Sequence, residues 1–254
     1  MVLGGCGAWP EPGRACSGFV LEHNGFRLVL EMGYGTLPRL LDLLGSAVGD
    51  GVDAVIITHC HPDHMIDLHG LCRARWFGRR GAPGIPLYAP SGVLDLVAAL
   101  EEGDADAVRQ VFDWHEIPAS AMDVGPLLLE TRSLPHFVTN AGIRLSCAEF
   151  TVAYTGDTGP DPALADLGRG ADLFIVEATS RDQQAGTPPS PSAGQQLHLS
   201  ARDAGVAAAA AGARMLMLTH FWPGNDREKS RSEAAAEFGG EILLADEGLV
   251  VPLG

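Results

Sequence analysis

Seven consecutive residues, Thr58-His59-Cys60-His61-Pro62-Asp63-His64, place three imidazoles and a carboxylate directly after the apolar run Val52-Asp53-Ala54-Val55-Ile56-Ile57. The pattern reads as a strand delivering ligands to its own C-terminal edge. Neutral imidazole nitrogen and carboxylate oxygen suit zinc, iron or manganese, and no thiolate cluster competes for a softer metal. His59 and His61 point one way while Asp63 and His64 diverge, so one ion cannot easily take all four, and two ions are the natural reading. The bland alternative is a surface loop rich in histidine. Unpaired His and Asp rarely crowd the end of a buried strand without a chemical use.

The string resembles the His-x-His-x-Asp-His signature of the metallo-β-lactamase-fold hydrolases. That resemblance implies an α/β chain with a four-layer αββα fold, two mixed β-sheets sandwiched between helices, and further ligands downstream. His136 follows Ser133-Leu134-Pro135, Asp157 follows the run Phe150 to Tyr154, and His220 closes Met215 to Thr219. Each stands just past an apolar, β-capable run, where open α/β sheets place their chemistry. Carried onto these positions, the family pattern gives one ion to His59, His61, His136 and Asp157. A second goes to Asp63, His64, His220 and Asp157, which bridges because a carboxylate has two oxygens. The cofactor expected is therefore two divalent ions, zinc first, with manganese or iron served by the same ligand types. Such a pair suits activation of water and neutralisation of charge on a phosphoryl or acyl oxygen, with Asp63 both ligand and catalytic candidate. Met32-Gly33-Tyr34-Gly35 resembles the family's glycine turn, although Glu31 stands where an aspartate is usual.

Two further stretches bear on the subfamily. Val176-Glu177-Ala178-Thr179 resembles the Glu-Ala-Thr core of a loop in the tRNase Z branch, and His198-Leu199-Ser200 resembles that branch's second His loop. The resemblance implies that His198 reaches the scissile phosphate, as oxyanion stabiliser or proton donor, and that Glu177 orients it and raises its pKa. The structural alternative is a His that caps a helix and a Glu paired with an arginine. The long tRNA-gripping arm of tRNase Z lies between the ligands matching His136 and Asp157, and here only 21 positions separate them. The chain is accordingly similar to the armless cyclic-nucleotide phosphodiesterases of actinobacteria. The function expected is hydrolysis of a small phosphodiester such as a cyclic nucleotide. The alternatives are tRNA 3′ processing, lactone or thioester hydrolysis on the same metal pair, and a metal-stabilised binding module without turnover. Phe221 and Trp222, directly after a ligand, are candidates for substrate contact, and Phe221-Trp222-Pro223 would equally suit an interface. Related enzymes are often dimers, so a homodimer is the partner arrangement the resemblance allows.

Charge sharpens the choice of substrate. Lys+Arg number 17 against 32 Asp+Glu, a formal net charge of -15. Long polyanions bind through phosphate neutralisation, so this surface disfavours a polynucleotide. A small anionic substrate such as a nucleotide remains compatible, because metal ions and a few arginines make a pocket locally positive. Arg79-Arg80-Gly81 reads as a solvated basic turn. The five cysteines, Cys6, Cys16, Cys60, Cys72 and Cys147, share no repeated spacing and suit reduced thiols; Cys60 faces away from its neighbours and packs. With 254 residues, 46% hydrophobic, the chain is long enough for one domain over 1–254. Its most apolar long run, Ala204 to Leu218, is cut by Arg214 and short for a bilayer. No export signal opens the sequence, and a cytoplasmic protein without membrane contact is expected.

Periodicity supplies the scaffold. Strands are expected at Val2-Leu3, Phe19 to Glu22, Arg27 to Glu31, Pro86 to Ala89, Phe112 to Ile117, Gly125 to Thr131, Ile143 to Cys147, Phe150 to Tyr154, Asp172 to Val176, Met215 to Thr219 and Ile242 to Ala245. Helices are expected at Leu37 to Leu44, Ile66 to Phe77, Ser91 to Leu100, Pro160 to Leu167 and, behind a capping box at Ser200, to Ala211. His23 beside the Asn24-Gly25 turn reads as a solvated loop residue, and Glu101 to Asp106 as an exposed acidic stretch. Gly4 to Gly18 reads as a loop over one rim of the site. Residues 180–196, rich in Pro, Gly, Ser and Gln, form a candidate lid.

Overall fold

The computed structural model describes residues 1–101, 105–179 and 196–253. Its first sheet sets β1 (Val2–Gly4), β2 (Gly18–His23), β3 (Phe26–Leu30), β4 (Ala54–Ile56), β5 (Ile85–Ala89) and β6 (Phe112–Glu116) side by side in chain order. The second does the same with β7 (Met122–Val124), β8 (Leu127–Leu134), β9 (Asn140–Ser146), β10 (Thr151–Tyr154), β11 (Leu173–Glu177), β12 (Met215–Thr219) and β13 (Glu241–Leu244). Both sheets are mixed. β1 to β3 and β7 to β10 run antiparallel, while β3 to β6 and β10 to β13 are parallel. The parallel halves require crossovers, which supply α1 (Thr36–Leu44), α2 (Pro62–Met65), α3 (Asp67–Gly78), α4 (Val93–Ala99) and α5 (Ala105–Val111) to one outer face. On the other face lie α6 (Ala163–Leu167), α7 (Ala201–Ala211) and α8 (Arg227–Ala235).

Alternation along each strand builds three apolar layers. Ile56, Ile143, Tyr154, Ile175 and Met217 point between the sheets, Val55 packs toward the first helical layer, and Ala153, Phe174, Val176 and Leu218 toward the second. Strands buried on both faces read as unbroken hydrophobic runs, which is why β4 and β12 stand out in the sequence. The arrangement is the four-layer αββα sandwich. No helix among the described residues is long and apolar enough to cross a membrane.

One local expectation is corrected, and two helices stand where the sequence marked none. His23 ends β2, with Asn24 at φ 52° and Gly25 at φ 80° forming a two-residue turn onto Phe26, so its ring packs on Phe150 rather than sitting in solvent. Asp106 is exposed as expected, residues 102–104 lie outside the described residues, and the chain continues into α5, whose Ala107, Val108 and Val111 are buried. α8 has a polar sequence with no apolar stripe, and the packing of Ser230 and Ala234 holds it in place. The candidate lid lies, but for Gln196, outside the described residues.

Candidate active site

β4 and the parallel trio β10, β11 and β12 end on the same side of the sandwich, and their C-terminal loops carry the chemistry. Asp157 lies three residues past β10, Glu177 ends β11 and pairs in register with Thr219, and His220 follows β12 directly. β8, two antiparallel steps from β10, ends at the same edge and delivers His136. After β4 the chain bends at Thr58 and His59, is extended at His61 and turns helical at Pro62, so Asp63 and His64 leave in another direction. Gly156, at φ 59°, lets the Asp157 loop close down: a Cβ there would lie 2.4 Å from Asn140 Oδ1 and 2.8 Å from Thr58 Oγ1.

The predicted ligands converge as two clusters sharing Asp157: His59, His61 and His136 with it on one side, Asp63, His64 and His220 on the other. In the first, His61 Nδ1 lies 3.1 Å from both His59 Nε2 and His136 Nε2, and each Nε2 is 3.8 Å from Asp157 Oδ2. In the second, His220 Nε2 is 3.1 Å from Asp63 Oδ2 and 3.2 Å from Asp157 Oδ2, while His64 Nε2 is 3.3 Å from Asp157 Oδ1.

The donor set fits divalent metal. His136 Nδ1 donates to the Leu197 carbonyl at 3.2 Å, and His59 Nδ1 faces Thr58 Oγ1 at 3.0 Å, so the nitrogens turned toward one another carry lone pairs. Burial lowers the pKa of His59 and His61 and brings His136 down to about 4, leaving these imidazoles neutral at neutral pH. Across the site, His64 Nε2 and Asp157 Oδ1 are fully buried with no hydrogen-bond partner, a costly arrangement that a cation between them relieves. Burial penalises the charged forms here too. The facing charges outweigh it, holding His64 well above the usual imidazole range through Asp157 and Asp63, and Asp157 well below the carboxylate range through His220 and His64.

Behind the ligands stands a shell of hydrogen bonds that sequence reading largely missed. Glu31, buried at φ 65°, accepts the Thr58 N–H at 3.1 Å and the Thr58 hydroxyl, and its Oε1 lies 3.6 Å from His64 Nδ1. It therefore supports His59 through Thr58 and faces His64 at ion-pair distance. The Thr179 hydroxyl donates to Glu177 Oε2 at 2.6 Å and must then accept from His220 Nδ1 at 2.7 Å, which turns the His220 Nε2 lone pair inward. The Ala8 N–H donates to Asp63 Oδ2 at 2.7 Å, and Gly7 lies so close to the His220 ring that a Cβ would come within 2.7 Å. The Gly4 to Gly18 loop is thus a wall of the site as well as a rim. Its glycine and proline content marked a loop, and nothing in it marked this contact.

Glu177 and His198 meet. His198 Nδ1 lies 3.1 and 3.2 Å from the two Glu177 oxygens, whose positions are set by the Thr158 N–H at 2.5 Å and the Thr179 hydroxyl. The same nitrogen is 3.9 Å from Asp157 Oδ2, so the pair borders the ligand clusters. Ser200 caps α7 reciprocally with Asp203 and so fixes the segment carrying His198. Phe221 does not line an opening. It is buried, with the Arg227 guanidinium 4.6 Å above its ring, because the chain enters the second helical layer right after His220. Trp222 packs edge-on against Trp9 at 5.0 Å. The exposed aromatic beside the imidazoles is Phe137, with ring centroids 5.1 Å from His136 and 6.0 Å from His198. Cys60 packs on the first apolar layer, as alternation requires.

The geometry agrees with comparison to known proteins. Residues 37–221 match the Beta-lactamase superfamily domain. The uncharacterized protein Rv1339 of Mycobacterium tuberculosis is 34% identical over 260 residues, covering 97% of this chain and 89% of the relative. The probable metallo-hydrolase YhfI of Bacillus subtilis is 28% identical, covering 98% and 97%. A crystal structure of YhfI superposes with a TM-score of 0.84 over 100% of this chain and 98% of that one. A ribonuclease Z of Kineococcus radiotolerans is 28% identical over 304 residues, covering 100% and 94%. The chain is a metal-dependent hydrolase and belongs to the beta-lactamase superfamily.

Proposed function

We propose that the chain is a dinuclear phosphodiesterase acting on a small phosphodiester, with a cyclic nucleotide the first candidate. The observation that carries this reading is the Glu177–His198 pair beside Asp157. Ester or lactone hydrolysis on the same ligands has no use for it. When bound, two divalent ions on the two clusters supply an acidified water and neutralise charge on the phosphoryl oxygens. Asp63, kept ionised by His64 and His220 against the cost of burial, accepts a hydrogen bond from the attacking water and orients it. His198, its Nδ1 committed to Glu177, offers Nε2 to the leaving oxygen or to a non-bridging oxygen, and Glu177 keeps that ring oriented. The charge of -15 and the short span from His136 to Asp157 favour a small substrate over RNA.

The test is hydrolysis of bis-p-nitrophenyl phosphate, 3′,5′-cyclic AMP and a simple lactone by one metal-quantified preparation, with Asp63→Ala alongside. Cleavage of both phosphodiesters, lost in the variant, supports the proposal. Lactone cleavage alone moves the enzyme to carboxylic esters and leaves His198 a structural role. The similarity to ribonuclease Z supports tRNA 3′ processing as a second reading, and cleavage of precursor tRNA with strong, salt-dependent binding would select it.

A further inference from the structure

At the end of the sandwich opposite the ligand clusters, two tight turns face each other, one from each sheet. β3 runs from the first turn toward Glu31 and β10 runs from the second toward Asp157, so strand rise sets these turns roughly 15–25 Å from the active-site ligands. The first turn presents His23, whose ring is held edge-on against Phe150 at 5.2 Å with its side chain 16% exposed. The second is closed by the Cys147 N–H donating to the Phe150 carbonyl at 3.0 Å, and presents Cys147 and Glu149. His23 Nε2 lies 3.6 Å from Glu149 Oε2, and the ligand atoms of His23, Cys147 and Glu149 all lie within 4.8 Å of one another.

Three features make this more than a chance meeting. The donors are a thiol, an imidazole and a carboxylate, the set zinc accepts and that calcium or magnesium, with their demand for oxygen, do not. Zinc bonds of about 2.0–2.3 Å give tetrahedral ligand separations of roughly 3.3–3.8 Å, and the His23–Glu149 distance already falls there. The Asn24 side-chain amide, 3.0 Å from His23 Nε2, is an N–H donor that selects the tautomer with its lone pair on that nitrogen, and an ion would take the amide's place. Both turns are short, so the backbone from which the three side chains reach is fixed, while the Glu149 side chain itself is 56% exposed. Cys147 is in no disulfide and packs against the layer between the sheets.

We propose that His23, Cys147 and Glu149 form a zinc site that pins the two sheets together at the end remote from catalysis, with water at the fourth position. The inference stands whether or not the substrate is a phosphodiester.

Cobalt(II) loaded to saturation into the full chain tests it, because a cobalt–thiolate bond gives a near-ultraviolet charge-transfer band and the active-site clusters contain only His and Asp. A thiolate band is expected, and Cys147→Ser should remove it together with one equivalent of bound cobalt. His23→Gln, which keeps the thiol, should weaken the band at limiting cobalt, and it serves as the second variant should Cys147→Ser fold poorly. Excess zinc should raise the Tm of the parent chain more than that of either variant. Absence of the band overturns the proposal. So does a band that survives Cys147→Ser, which would place the thiolate at Cys60, or a cobalt stoichiometry equal in parent and variant.

Discussion

Where Asp63, His64 and His220 meet Asp157, every side chain is buried; where His59, His61 and His136 meet the same carboxylate, His61 stays part-exposed. The difference continues outward. Gly7 and Ala8 lie directly on the sealed cluster, and the Trp9–Trp222 pair stands behind them. Beside the open cluster are His198, with 14% of its side chain exposed, and Phe137, 45% exposed. Support differs too: the sealed cluster is held by Thr179, Ala8 and Glu31, the open one by Thr58 and the Leu197 carbonyl. His61, His198 and Phe137 leave the first cluster open to solvent, while buried side chains enclose the charges of the second.

The largest effect should come from the residue the two sides share. Asp157→Ala removes a ligand from both clusters, and turnover of bis-p-nitrophenyl phosphate should fall roughly 10⁴-fold or more, with both metal equivalents weakened. Loss of a single equivalent would show that the carboxylate serves one side only. His198→Ala should lower turnover by about 10²–10⁴-fold while metal content, measured by atomic emission, stays at the parental value. A parallel fall in metal content would make His198 a ligand, since Glu177, His198 and His220 also approach one another closely enough to share an ion.

Of the two clusters, Thr179→Val addresses the sealed one, and through Glu177 it also loosens His198. Without the hydroxyl, His220 loses the partner that orients it, and one metal equivalent should bind about 10–100-fold more weakly in chelator competition. The second equivalent should keep its affinity. Equal weakening of both would mean that the clusters do not act separately.

How far this site could be read from sequence depends on whether a contact is local. The six residues from His59 to His64 carry their meaning in their spacing, and β10, β11 and β12 announce their ligands through runs buried on both faces. The Ser200 cap was legible for the same reason, since its partner is three residues away. Thr179 to His220, Ala8 to Asp63 and Glu31 to Thr58 were not, because each joins segments that only the closed sandwich brings together. α8 escaped because a polar helix leaves no periodic signal. Phe221 differs from expectation because the chain turns into the helical layer at that residue, so a neighbour of a ligand in sequence is not a neighbour of the opening.

The smallest expected effect bears most directly on the direction of approach. Phe137 presents an exposed ring beside His61, His136 and His198, and an apolar or aromatic part of the substrate laid on it would gain about 0.5–1.5 kcal/mol. Phe137→Ala should then raise KM about 2–12-fold with kcat nearly kept, because the contact is made alike in ground and transition states. Trp9→Ala, on the sealed side, should leave KM within about twofold of the parent, since Trp9 meets Trp222 and not the imidazoles. The reverse pattern would move the substrate to the N-terminal loop and make the Trp9–Trp222 pair its platform. The open cluster would then be the door for solvent and metal alone.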